Sequence, residues 1–304
     1  MKIIYKIVFA ISMLLTIGAI VVLSIFGLKF GIDFTGGTVL EVQFQNQVPS
    51  SSDITETLKT TSLNNDITIT PTDSQGFIIR SSTISESTHQ EILKALNDKY
   101  GTVSESRFEA VGPVIGNELK DKSIKAIIIL LIVIVLYISL VFRSMAKVLS
   151  PWAMGIAAIV ALIHDVIIPV GIFALLGHYA GVEITAIFIA AALTILGYSV
   201  ADTVIVFDRV RENVNLRGKK DNFADIVHTS IMQTLTRSIN TSLTTLITLF
   251  AILFWGGESL HYFALALIIG IGLGTYSSIF IASPILIWWE SKHIKGKLEK
   301  VRKN

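Results

Sequence analysis

The chain predicts a polytopic α-helical membrane protein with six transmembrane helices and one α+β domain outside the membrane. Three observations predict it. Hydrophobic residues make up 52% of the 304 residues and charged residues 16%, against roughly 45–50% and 25% in soluble domains. Six segments are apolar over enough length to cross a bilayer, for which a helix needs about 20 residues. A single connection, near 31–125, is long and polar enough to fold by itself.

The apolar segments run near residues 7–28, 126–142, 148–176, 184–207, 238–255 and 262–289. Lys2 and Lys6 precede the first, in the manner of a signal peptide. Its apolar run is too long for an ordinary signal core, and no small-x-small cleavage site closes it, so a retained signal anchor is expected. Lys and Arg set the orientation. They cluster before the first span, at Arg143 and Lys147, at Arg209, Arg211, Arg217, Lys219 and Lys220, and from Lys292 to the end. The connections 177–183 and 256–259 have none. Every basic stretch falls on one face if both termini are cytoplasmic, and the long connection then lies on the other side.

Within that connection, residues 38–44 alternate as a strand. Ser51-Ser52-Asp53 offers helix caps ahead of Ile54, Leu58 and Leu63. Residues 67–71 and 77–81 read as two strands joined by a turn at Asp73-Ser74-Gln75-Gly76. Ser85-Glu86-Ser87 starts a second helix bearing Ile92, Leu93 and Leu96, which stops near Gly101, and 103–111 forms a fourth strand. The order β-α-β-β-α-β is the ferredoxin-like arrangement. The expected division is a first transmembrane helix at 1–30, the ferredoxin-like head at 31–122, a five-helix bundle at 123–290 and a basic cytoplasmic tail at 291–304.

The composition excludes several chemistries. There is no cysteine, hence no disulfide, thiol catalysis or thiolate metal site. His89 is the head's one histidine, expected on the surface, and with no clustered carboxylates a metal site is not expected. A net charge of +2 does not point to nucleic acid. No cofactor and no catalytic site are expected.

The residues that stand out lie in the membrane. Asp202 is the one charge inside the segment 184–207. A carboxylate at that depth costs about 2.5–3.5 kcal/mol or more and usually faces a bundle interior to handle protons, ions or a partner charge. Arg237, opening the fifth span, is the candidate partner. Gln233, Arg237, Thr241, Thr244 and Thr248 recur at helical intervals and form a polar stripe that can face a hydrated path or serve only to bond backbone carbonyls. His164 and Asp165 sit midway along the third span, where both need an internal partner. Asp208, Arg209, Arg211 and Glu212 form a charge cluster at a helix end, and Gly270 with Gly274 gives a small-xxx-small packing pair.

Several motifs recur together. Gly31-Ile32-Asp33-Phe34-Thr35-Gly36-Gly37-Thr38 follows the first span and Gly112-Pro113-Val114-Ile115-Gly116-Asn117-Glu118-Leu119 precedes the second. Gly197-Tyr198-Ser199-Val200-Ala201-Asp202-Thr203 and Phe207-Asp208-Arg209-Val210-Arg211-Glu212-Asn213 end the fourth, and Gly274-Thr275-Tyr276-Ser277-Ser278-Ile279-Phe280 lies in the sixth. In this order, over nearly the whole chain, they resemble the SecF family of protein-export membrane proteins, within the resistance–nodulation–division superfamily. The resemblance implies a periplasmic head, a heterodimer with SecD in the bacterial inner membrane, work beside the SecYEG translocon on unfolded polypeptides, and use of the proton-motive force. It implies that Asp202 is the family's span-four aspartate, linked to proton passage, and that Arg237 is its span-five arginine. Ala201 stands where the family often has Asn, which removes a hydrogen-bonding side chain beside the aspartate. With Asp165, these residues make the expected proton pathway.

Three rival readings remain. Asp165 and Asp202 on adjacent spans could form an intramembrane aspartyl protease dyad, although the Gly-x-Gly-Asp motif of that class is absent. A small-molecule or lipid exporter of the same superfamily would usually join two such six-span halves. A translocon scaffold would carry its charges for structure alone.

Overall fold

A computed structural model describes residues 3–45, 48–63, 67–72, 76–217 and 221–292. Along the chain run α1 (Ile3–Phe26), α2 (Ile32–Thr35), β1 (Gly37–Phe44), α3 (Ser51–Leu58), β2 (Thr68–Pro71), β3 (Gly76–Ser81), α4 (Glu86–Tyr100) and β4 (Val103–Val111). Then follow α5 (Pro113–Val141), α6 (Pro151–Ala180), α7 (Ala186–Arg217), α8 (Phe223–Trp255) and α9 (Glu258–Ser277). The chain divides into two compact units, one of Met1–Lys29 with Lys125–Asn304 and one of Phe30–Ile124. Residues 73–75 of the expected turn, Lys219 and Lys220, and the tail from 293 onward lie outside the described residues.

The helical unit holds six helices long and apolar enough to span a membrane. Most outrun the apolar segments that announce them. The second begins at Pro113, the fourth continues to Arg217 and the fifth starts at Phe223. Polar ends of a helix keep their backbone hydrogen bonds outside the hydrocarbon, so hydropathy reports only the central turns. A π-helical turn, Ser278–Ala282, interrupts the sixth span, which runs on to Lys292.

Small residues set the packing. Without a hydrophobic force between helices in lipid, close backbone approach supplies the contact. The buried face of α6 is built from Ala153, Gly155, Ala157, Ala158 and Ala161. A Cβ on Gly155 would come 3.3 Å from the Val135 side chain of α5, and one on Gly171 only 2.7 Å from the Ala19 Cβ of α1. A Cβ on Gly270 would strike Ile195 of α7 at 2.2 Å, and one on Gly274 would sit 3.1 Å from the Ser199 Cβ. The Gly270–Gly274 pair therefore seats α9 directly on α7. Helices α6, α7 and the sixth span form the buried centre, while α1, α5 and α8 keep much of their surface outward.

The other unit orders its elements β-α-β-β-α-β, with a four-stranded sheet in the order β2-β3-β1-β4 and antiparallel pairing throughout. Leu40, Val42 and Phe44 of β1 join Phe77 and Ile79 of β3, and Ile54, Leu58, Ile92 and Leu96 of the two helices close over them. Ser50, one residue before the expected cap, accepts from the Asp53 amide while the Asp53 side chain accepts from the Ser50 amide, a reciprocal box that satisfies two end donors. Gly36 and Gly37 both have positive φ (73° and 125°), and a Cβ on Gly36 would lie 2.7 Å from the Pro113 Cα. One on Gly116 would come 3.0 Å from the Gly36 nitrogen. The two glycine motifs that flank the head thus pack on each other, with the short α2 leading into β1.

His89 corrects the sequence reading. It is 4% exposed, not a surface residue. Its Nδ1 lies 3.3 Å from Glu86 Oε1, its Nε2 3.1 Å from Glu105 Oε2, and its ring stacks on Phe108 at 3.7 Å. The cause is a β-bulge. Register slips where Glu41 pairs Arg107 but Val42 pairs Glu105, so the strand's two-residue alternation breaks and both Glu105 and Phe108 reach the same ring.

Candidate proton site

Asp165 is 0% exposed, and its carboxyl group meets hydroxyl donors from two other helices and the ring of its neighbour His164. Ser199 Oγ of α7 donates to Oδ2 at 2.5 Å, Ser277 Oγ at the end of α9 donates to the same oxygen at 2.6 Å, and His164 Nδ1 lies 2.8 Å from Oδ1. The close α7–α9 seam made by Gly270 and Gly274 allows Ser199 and Ser277 to meet one carboxylate.

Asp202 lies one turn beyond Ser199 on the same helix and is 6% exposed. Ser238 of α8 and Thr275 of α9 face its carboxyl, although the buried Ser238 hydroxyl finds no partner in hydrogen-bond geometry. Thr275 bonds Ser242 at 2.5 Å. Thr234, Ser238 and Ser242 are all buried and repeat every four residues, so the inward polar row of α8 is this one.

The expected stripe of Gln233, Arg237, Thr241, Thr244 and Thr248 lies on the exposed side of α8 within this chain. Among the described residues no ion pair joins Arg237 to Asp202. Arg237 instead lines a groove of about 500 Å³ with Asp208, Arg209, Glu212, Gln233 and Thr234. The helix-end charges pair locally, Arg209 with Glu212 at 2.5 Å and Arg211 with Asp208 at 2.6 Å. Among the described residues no hydrogen bond joins Asp165 to Asp202; the Asp165 oxygens meet His164, Ser199 and Ser277.

Sequence reading missed Ser199, Ser277, Ser238 and Thr275. A single serine in an apolar helix is unremarkable, since its hydroxyl can bond its own backbone. The four-residue spacing of Thr234, Ser238 and Ser242 was a readable signal. No group of three or more His, Asp or Glu able to hold a metal occurs among the described residues.

Six spanning helices with ionisable side chains enclosed at their centre define a polytopic membrane protein of the transport type. Residues 91–292 match the family model for the C-terminal region of the protein export membrane proteins SecD/SecF, and residues 21–48 match the SecD/SecF GG motif. The chain belongs to the SecD/SecF family. It is 42% identical to the protein translocase subunit SecF of Thermobaculum terrenum, over 93% of this chain and 92% of the relative. It is 38% identical to that of Anaerolinea thermophila, over 93% and 91%. The crystal structure of SecDF, a translocon-associated membrane protein from Thermus thermophilus, superposes with a TM-score of 0.81 at 34% identity, covering 94% of this chain. This chain spans 38% of that one.

Proposed function

We propose that this SecF subunit of the Sec translocase assists protein export together with SecD, using the proton-motive force through Asp202, Arg237 and Asp165. The carrying observation is Asp202 itself: a carboxyl 6% exposed in a spanning helix, faced by the hydroxyls of Ser238 and Thr275 and paired with no cation among the described residues. Such a group can take up and release a proton as its surroundings change. Each charge crossing the full potential gains about 2.3 kcal/mol per 100 mV, enough to drive a conformational cycle.

The outward row of α8 supports the partner. Thr241, Thr244 and Thr248 turn their hydroxyls back onto the carbonyls of Arg237, Asn240 and Thr244 at 3.0, 3.1 and 3.2 Å. A row ending in an exposed arginine is poorly placed against lipid, and a SecD helix bearing a carboxylate would cover it. Basic-residue asymmetry favours an inner-membrane orientation with both termini cytoplasmic and the head periplasmic. The antiparallel β2-β3-β1-β4 sheet under two helices fits a ferredoxin-like head, divided from the first helix, the five-helix bundle and the basic tail near residues 30, 122 and 290. The SecYEG channel and translocating unfolded polypeptides complete the set of partners.

The test is Asp202→Asn, which keeps size and polarity but cannot release a proton. It should abolish proton-dependent stimulation of export while leaving SecD co-purification and ATP-driven early translocation intact. Normal stimulation in an assembled variant complex would refute the proposal.

A further inference from the structure

We infer that Asn213 and Tyr198 are positioning residues for Asp202: they tie α8 to α7 at two levels, and so hold Ser238 toward the carboxyl and Arg237 away from it. The inference rests on the preceding reading only for the use made of Asp202 in export.

The donors of the first tie follow from one arginine. A guanidinium can only donate, and Arg209 Nε lies 2.7 Å from Gln233 Oε1, so that atom is the amide oxygen. Asn213 faces the same oxygen at 2.8 Å and therefore presents its Nδ2 there. Nδ2 also donates to Ser230 Oγ at 2.8 Å, and Ser230 passes its own hydrogen to the Ile226 carbonyl at 2.8 Å. Asn213 is 3% exposed and Ser230 0%. A buried amide whose partners lie on one neighbouring helix fixes the register of that helix, as a single buried Asn does in a coiled coil.

The second tie joins the Tyr198 hydroxyl to Thr245 Oγ1 at 2.7 Å. The two ties stand the same number of residues apart on both helices, 198 to 213 on α7 and 230 to 245 on α8. The antiparallel pair thus keeps one register over about 22 Å, at about 1.5 Å per residue. Asp202 and Ser238 lie between the ties.

Helix phase is what the first tie sets. Ser230 starts the buried row that continues through Thr234, Ser238 and Ser242. Gln233 stands one turn before Arg237 on the exposed row. Asn213 grips one residue of each row. Arg237 and Ser238 are consecutive, about 100° apart around the helix, so a rotation of that size would bring Arg237 to where Ser238 now stands. With the ties made, Asp202 is faced by Ser238 and by Thr275 of the sixth span.

Asn213→Leu keeps the size and removes both donors, yet leaves Gln233 bonded to Arg209 and Ser230 to Ile226. Tyr198→Phe likewise leaves Thr245 its bond to the Thr241 carbonyl. Both variants should fold and co-purify with SecD. In lipid nanodiscs, the infrared carboxyl band that Asp202→Asn removes gives the pH midpoint of Asp202. Each variant should shift that midpoint by about half a pH unit or more, the size of one hydrogen bond. Neither should add a further shift where Ser238→Ala is already present. An unmoved midpoint in an assembled variant, even one of lower thermal stability, would overturn the inference, as would an undiminished shift without Ser238. Should Asn213→Leu fail to assemble, Tyr198→Phe decides. The midpoint is read without export: a shift beside normal export by Asp202→Asn would keep the ties and discard the export reading. An unmoved midpoint beside an inactive Asp202→Asn would do the reverse.

Discussion

Gly270 lies so close to Ile195 that a Cβ at the glycine would fall 2.2 Å from the Ile195 Cδ1. This contact, with Gly274 against Ser199 one turn on, draws α7 and α9 together where the buried carboxylates sit. Gly270→Ala therefore overpacks the seam. It should destabilise the helical unit by about 1–3 kcal/mol and disturb the Ser199–Asp165–Ser277 junction. Gly272, on the same helix, has nothing within 4 Å of a built Cβ, so Gly272→Ala should be neutral or slightly stabilising. Thermal unfolding of the purified protein in detergent compares the two, and equal effects would contradict the packing.

Ser199→Ala and Ser277→Ala each remove a donor from a fully buried carboxylate. Leaving a buried polar group without a partner costs about 1–3 kcal/mol, and each variant should lose an amount in that range. The two serines share one oxygen, so their effects should be non-additive. A double variant whose loss equals the sum of the singles in denaturant titrations would show that they act apart.

Arg237→Met should leave the helical unit folded, since the side chain is exposed and forms no ion pair in the described chain. It should weaken SecD association or proton-dependent export. Because the chain has no cysteine, single cysteines report the surface cleanly. A cysteine at Thr244 should crosslink to SecD, whereas one at Leu249, 6% exposed, should not. Crosslinking at Leu249 alone would place the contact on the wrong face of α8.

A cysteine at Ser87, exposed at the start of α4, tests orientation. It should react with an impermeant reagent from the periplasmic side without permeabilisation of the inner membrane. Reaction only after permeabilisation would invert the proposed topology.

The head should lose stability in acid. The Ser50 hydroxyl, then the Ser50 amide, hold the Asp53 carboxyl below its usual range, and the Gln90 side chain, with a smaller contribution from His89, does the same for Glu86. Both folded values are depressed, so their stabilisation is present above the unfolded carboxylate range, about 4, and fades as pH falls through the folded values. Hydrogen exchange of the α3 and α4 amides should accelerate over that window. Ser50→Ala should cost about 1 kcal/mol as a lost cap and flatten the acid response around α3. An unchanged pH profile would contradict the capping geometry.

The number of spans, their order, the head's strand–helix alternation and the prominence of Asp202, Asp165 and Arg237 were legible in the sequence by itself. Hydropathy, helix caps and a charge in an apolar run are local properties, written in consecutive residues. Direction was not. Asp202 and Arg237 suggested a pair by proximity of their spans, but rotation of α8 turns Ser238 inward and Arg237 outward, and rotation follows from packing against other helices. His89 was buried by a bulge in the next element, between Glu105 and Arg107 of β4, that no pattern around residue 89 announces. The convergence of Ser199, His164 and Ser277 on Asp165 depended on glycines that let two helices touch. Which side chains meet is decided by backbone separation and helix phase, and those exist only once the helices are packed.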